Sequence, residues 1–172
     1  MRLFLSAAVF LFASFCAATD AAAAEAKKDL PNALYLTIEK HALDWIDGLF
    51  GSAKFRETAL FDLCDDSRGE RIVTPYSYVL VSPYDTVGSG FVCTFTFESW
   101  LVIQGYVEPK QLLPLHAARS EGSTWWRAAS LVSIAGKIRK FRLDSSPDGK
   151  RLILFLDGIS FRTPDQDEAK PR

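Results

Sequence analysis

The chain has one methionine, two histidines and three cysteines among 172 residues, and each scarcity narrows the chemistry. The histidines, His41 and His116, stand alone. No H-x-x-x-H, H-E-x-x-H or C-x-x-C spacing occurs, so no zinc motif is present. There is no G-x-S-x-G elbow, and a nucleophilic site would have to be assembled from residues distant in sequence. Gly88-Ser89-Gly90 lacks the further glycine and the lysine of a phosphate-cradling loop. Two carboxylate groupings, Asp62 with Asp65-Asp66 and Asp144 with Asp148, miss the EF-hand spacing. Asp144-Ser145-Ser146-Pro147-Asp148-Gly149 instead has the residues of a tight turn. No cofactor or metal is expected. A net charge of −1 gives no overall field to attract nucleic acid or an anionic membrane.

What is present begins with a leader. Met1-Arg2 is a short basic start, Leu3 to Phe15 is apolar apart from Ser6 and Ser14, and Ala21-Ala22-Ala23-Ala24 supplies small residues for cleavage after Ala24. These are the parts of a secretory signal peptide, too short to span a bilayer. Cys16 follows Phe15 rather than the small residue a lipoprotein signal needs. No later apolar run reaches spanning length. The reading is an exported chain, periplasmic or extracellular, with residues 1–24 as leader, 25–162 as one globular domain and 163–172 as a polar, disordered tail. Export places Cys64 and Cys93 in an oxidising compartment, where a bridge is expected. Its loop of about thirty residues would contribute about 3–4 kcal/mol in the chain-entropy model. The alternative is two separate buried thiols.

Leu34, Ile38, Ala42, Trp45 and Leu49 recur at helical spacing, widened by Leu43, Ile46 and Phe50. Asn32 can cap that helix and Gly51 can end it, giving a helix over 33–50. A short strand through Leu34, Leu36 and Ile38 is the competing pattern. A second helix is expected over 53–63, with Phe55, Leu60 and Phe61 as its apolar positions. Arg71 to Ser82 reads as a strand interrupted by Pro75, followed by a long loop through Gly90. Phe91, Cys93, Phe95 and Phe97 alternate with Val92, Thr94, Thr96 and Glu98, a strand with one buried face. Ser99-Trp100 marks a bend before Leu101 to Val107.

The longest legible unit is the hairpin over 130–161. Val132, Ile134 and Ile138 share one parity, whereas Phe141 and Leu143 share the other. A bulge near Arg139-Lys140 must therefore switch faces. Leu152 to Leu156 is apolar without a break, which reads as a strand covered on both faces, and Asp157-Gly158 kinks it. A faint echo relates 99–107 to 130–138, with serine, isoleucine and glycine shared, Gly105 matching Gly136. Both glycines read as sites of a bend or bulge.

The V-x-I-x-G-x-I stretch followed by a strand pair resembles the start of an OB-fold barrel in bacterial envelope proteins, over residues 130–162. That resemblance implies oligonucleotide or oligosaccharide binding by analogy. The expected fold class is α+β: an amphipathic helix packed on a strongly bent antiparallel sheet or a small OB-like β-barrel.

One local charge feature stands out. Lys137, Arg139, Lys140 and Arg142, with Lys150 and Arg151, lie on adjacent strands and can form a basic patch. Tyr106, Trp125 and Trp126 can add stacking surface. Against this stands a solvated face, or edge-strand cations that discourage aggregation. The leading expectation is a non-catalytic binding or interaction domain of the bacterial envelope. Its partner would be another envelope protein, an anionic glycan or a lipid headgroup, and nucleic acid is an unsuitable ligand for an exported chain. The alternative is an envelope hydrolase built on His41 or His116.

Overall fold

The computed structural model describes residues 31–48, 51–87, 90–115, 118–119, 126–128 and 131–164, with side chains outside the description for 83–87, 90–91, 114, 118–119 and 126–127. The expected leader and cleavage site, Leu49 and Phe50 at the end of the expected first helix, the expected Gly88-Ser89 loop tip, His116, Trp125 and residues 165–172 lie outside the described residues. Among the described residues no helix is long and apolar enough to cross a membrane.

Helix α1 spans Ala33–Asp47. Asn32 caps it as expected, accepting from the Tyr35 amide at 2.9 Å. Its side chain also donates to the Arg71 carbonyl oxygen at 2.9 Å, so one residue both starts the helix and ties it to the sheet. Gly48, with φ at 68°, ends the helix by returning its N–H to Asp44. The stop is therefore Gly48, three residues before Gly51, because the first glycine in αL geometry can close the last turn. The buried stripe is Tyr35, Ile38, Ala42 and Trp45. Leu36 and Leu43 face outward, which overturns the strand alternative and narrows the expected stripe.

Helix α2, Ala53–Asp66, is capped by the Ser52 hydroxyl. Leu60 and Cys64, one turn apart, are its buried residues. Phe55 and Phe61 are exposed instead of buried, although Phe61 meets Phe141 edge-to-face at 4.9 Å between centroids.

The strands are β1 (Arg71–Val73), β2 (Leu80–Val87), β3 (Gly90–Glu98), β4 (Leu101–Val107), β5 (Ala118–Arg119), β6 (Trp126–Arg127), β7 (Ser133–Ser146) and β8 (Gly149–Arg162). A one-turn helix α3 (Pro109–Leu112) and a 3-10 turn (Leu113–Leu115) follow β4. The sheet order is β1-β7-β8-β4-β3-β2-β6-β5, six strands forming the body and the two-residue β6 and β5 extending one side. It has two ends and is open, so the expected barrel is not formed. The class is α+β, but the sheet is mixed rather than antiparallel, because β4 and β8 pair in parallel. Ser99-Trp100 is a reversal joining β3 to β4, not a bend within one strand. Pro75 does end β1, and β2 runs through Pro83 with a bulge before Asp85.

One face of the sheet makes the core. Ile72, Phe95, Leu101, Ile103, Ile134, Ile138, Leu152 and Leu154 pack there with Tyr35, Ile38, Trp45 and Leu60 from the helices. Burying each such aliphatic or aromatic side chain contributes about 1.5–3 kcal/mol. Lys150 belongs to this side: its ammonium donates to the Trp45 carbonyl oxygen at 3.1 Å and lies 5.4 Å from that ring's centroid.

The β7–β8 hairpin turns through Pro147-Asp148, with Ser146 opposite Gly149. Ile138 pairs with Leu156 and Lys140 with Phe155, so Arg139 is the extra residue of a bulge. This is where the parity switch requires it. A second irregularity lies on β8, where Asp157 pairs with Lys137 but Ser160 with Ala135, and Gly158 has φ at 62°. The two echoing glycines flank this kink. A Cβ on Gly105 would meet the Ile159 side chain and the Leu156 carbonyl oxygen. One on Gly136 would lie 3.0 Å from the Leu156 Cβ. They provide close approach to β8 rather than bends in their own strands.

The Cys64–Cys93 bridge expected from the compartment is not formed. Both cysteines are free and buried. Helix α2 packs over β7, and β3 lies three places further along the sheet. At about 4.8 Å per strand that path is about 14 Å, twice the Cα separation a disulfide spans.

Candidate binding face

The bulge at Arg139 determines what the second sheet face displays. Before it, Lys137 points away from the core. After it, Phe141 and Leu143 turn toward the helices, so Lys140 and Arg142 point outward. All four cations of β7 are exposed on that outer side. Same-face neighbours along a strand lie about 7 Å apart, which makes a line of charge. Arg71 on β1 stands opposite Lys137, and Arg151 on β8 stands opposite Asp144. Lys150, the remaining member of the expected patch, is on the core face, because adjacent strand residues face opposite ways.

Among the described residues only Arg139 of these four has an acidic partner, Asp157 at 3.7 Å. The Lys140 ammonium lies 4.4 Å from the Phe155 ring centroid, a cation–π contact that fixes the charge over the sheet. The register then carries the face across three strands. The row through Lys140 continues as Phe155 on β8, Gln104 on β4 and Thr94 on β3. Gln104 Nε2 donates to the Thr94 hydroxyl at 3.2 Å. The row through Arg142 continues as Ile153, Val102 and Thr96. Tyr106, 45% exposed, lies on the same face of β4, opposite Val92 of β3. The face thus grades from a cationic flank on β1 and β7 to amide, hydroxyl and aromatic groups on β8, β4 and β3, with Ile153 and Val102 buried between them, so β8 is covered on this side as well.

Of the expected stacking residues, Tyr106 joins this face. Trp126 opens β6, on the far side of β2, with its side chain outside the described residues, and Trp125 lies wholly outside them. Sequence reading missed Gln104, Thr94 and Phe155: Gln104 and Thr94 alternate with core residues, whereas Phe155 lies in the unbroken apolar run from Leu152 to Leu156, where no alternation marks a face.

The nucleophile candidates are placed differently. His41 is half-buried in a cleft between α1 and α2. It makes no hydrogen bond to a serine or carboxylate among the described residues. Asp44, the acid that shares its cleft, accepts from Lys40 at 2.7 Å. That hydrogen bond is the main reason the Asp44 carboxyl is held below its usual range, with the charges of Lys40, His41 and Arg56 adding to it. Burial pushes the Cys64 thiol up to about 12 and the Cys93 thiol up to about 11. Neither offers a thiolate near neutral pH. Compared with family models, curated proteins and solved structures, the chain matches none.

Proposed function

We propose that this chain is an exported, non-catalytic binding module of the bacterial envelope that holds an anionic glycan across the outer face of its sheet. The carrying observation is the shared face: a line of exposed cations on β7 beside Gln104, Thr94, Phe155 and Tyr106. The cations answer the carboxylates or phosphates of such a polymer. The amide and hydroxyl groups answer its hydroxyls, and the aromatic rings offer apolar platforms. The leader supports the location. A lipid headgroup shares the charge, but the polar strip on β4 and β3 suits a ligand rich in hydroxyls.

A second reading has its own observation. Beyond Ile138, β7 has no strand neighbour on its outer side among the described residues. A bulge and outward cations are devices that keep such an edge from pairing with another chain.

Binding to polygalacturonate, neutral dextran and phosphatidylglycerol vesicles, measured across a salt series, tests the proposal. The expected result is salt-sensitive binding to polygalacturonate alone, lost when Arg139, Lys140 and Arg142 are replaced together by Ala. Unchanged binding in that variant ends the proposal. Binding only to vesicles replaces the glycan with a headgroup. Aggregation of the variant without any wild-type ligand binding leaves edge protection as the role of these cations.

A further inference from the structure

The turn that leads into β1 covers the outer edge of β7 only as far as Ile138. The Gly69 amide donates to the Ile138 carbonyl oxygen at 2.7 Å, and the Ile138 amide donates to the Glu70 carbonyl oxygen at 3.0 Å. Over 140–146, β7 has β8 on one side and, among the described residues, no strand on the other. The register identifies the backbone groups this leaves open. Ser146 stands opposite Gly149 across a two-residue turn, and the pair closing such a turn exchanges its own hydrogen bonds. Asp144, Arg142 and Lys140, at every second position back along the strand, therefore bond to β8. The N–H and C=O groups of Phe141, Leu143 and Ser145 point to the open edge.

The side chains above and below that edge differ in kind. On the outer face are Lys140 and Arg142, both exposed, and then Asp144. On the core face are Phe141 and Leu143, partly buried. Over them stands Phe61 of α2, which meets Phe141 edge-to-face and is 50% exposed. A strand laid along this edge would cover Phe61 with its inward side chains and set its outward ones beside Lys140 and Arg142. A second copy of β7 would gather Arg139, Lys140 and Arg142 of both chains along one seam, against one Asp144 from each. The cations thus oppose a like strand and favour one of opposite charge.

We propose that β7 is a docking edge for an extended acidic segment of a partner protein, which adds as a strand beside residues 141–145. Acidic residues of that segment stand opposite Lys140 and Arg142, and apolar residues stand opposite Phe141 and Leu143. Main-chain hydrogen bonds hold the segment, and the alternating side chains select it. The edge shares two cations with the glycan face but rests on backbone groups and on Phe61, which that face does not use.

The test is fluorescence anisotropy of a labelled peptide, acetyl-T-K-V-E-V-E-T-amide, titrated with the folded chain. Laid antiparallel, it puts its glutamates opposite Arg142 and Lys140, its lysine opposite Asp144 and its valines opposite Leu143 and Phe141. Saturable, salt-sensitive binding is expected. N-methylation of both valines keeps every charge but removes the N–H groups that pair with Phe141 and Leu143, and should weaken binding about tenfold or more. Ser145→Pro removes one edge N–H at an exposed position and should weaken binding about threefold to tenfold, with polygalacturonate binding as in the unsubstituted chain. Phe61→Ala should weaken the peptide by a similar factor through lost apolar contact, and circular dichroism of both variants verifies the fold. Equal binding of the N-methylated peptide would reduce the contact to charge alone. A dimer in sedimentation that Ser145→Pro dissociates would give the edge to a second copy. Either result, indifference of the peptide to Ser145→Pro, or no saturable binding overturns the proposal.

Discussion

Gly105 on β4 lies directly beside Leu156 on β8, and a Cβ at Gly105 would come within 2.6 Å of the Leu156 carbonyl oxygen. The Ile159 side chain occupies the rest of the space that such a Cβ would need. The kink in β8 therefore depends on a hydrogen atom two strands away from β7.

Gly105→Ala should accordingly cost about 3 kcal/mol or more, at the upper end of overpacking effects. Gly136→Ala, whose nearest neighbours lie at 3.0–3.2 Å, should cost less. Urea denaturation of the two variants gives the comparison, and equal losses would contradict the assigned close approach.

Deleting Arg139 should cost little more than changing it. The deletion removes the bulge, but Ile138 and Lys140 still stand opposite the consecutive residues Leu156 and Phe155, so Phe141 and Leu143 keep facing the helices while Lys140 and Arg142 keep facing out. Arg139→Ala loses only an exposed ion pair, worth less than about 1 kcal/mol. Deleting Arg142 instead places Phe141 next to Leu143, and one of the two must turn outward. Soluble yield and thermal melting of the variants separate these outcomes, and a deletion of Arg139 as damaging as that of Arg142 would contradict its assignment as the extra residue.

The buried Thr74 hydroxyl accepts from the Ile134 amide at 2.8 Å, and the Thr74 carbonyl oxygen accepts from Ser133 at 2.7 Å. Together with the Thr74 amide donating to the Ile134 carbonyl oxygen at 2.9 Å, these bonds hold the segment before Pro75 onto β7. Thr74→Val leaves the Ile134 amide without that acceptor and should cost about 1–3 kcal/mol, read as a lower denaturation midpoint.

Cys64 and Cys93 should both be inert to maleimide in the folded chain, because both are fully buried. In guanidinium without reductant both should label, and a failure to label there would show a bridge. Below about pH 9 the thiols are protonated in both states, so they add no pH dependence. Above it the unfolded chain loses protons that the folded chain retains up to about 11 or 12, and stability falls by up to about 1.4 kcal/mol per pH unit per thiol. The double Cys→Ala variant should lose that component of the alkaline decline.

Local rules were legible in the residues. Asn32 as a cap, the Pro147-Asp148 turn, the alternation from Cys93 to Phe97 and the switch at Arg139 all depend on neighbours within a few positions. Non-local outcomes were not. The parallel pairing of β4 with β8 joins strands separated by about forty residues, and no periodicity encodes it. The open sheet follows from that strand order. Phe55 and Phe61 looked like core because composition marks a residue as apolar without saying which side its helix packs. The cysteine bridge was inferred from compartment, but strand order determines distance. Of the binding face, the charges on β7 were visible, whereas the polar strip on β3 and β4 became part of it only through register.

The strand that joins the two halves of the sheet, β8, is the last described strand to be synthesised. Until it emerges, β1 and β7 on one side and β4, β3 and β2 on the other have no shared neighbour. A nascent chain thus cannot complete this core prematurely, whatever the order in which its earlier strands meet. That delay leaves the core incomplete until residues 149–162 have been made, after the strands that β8 joins.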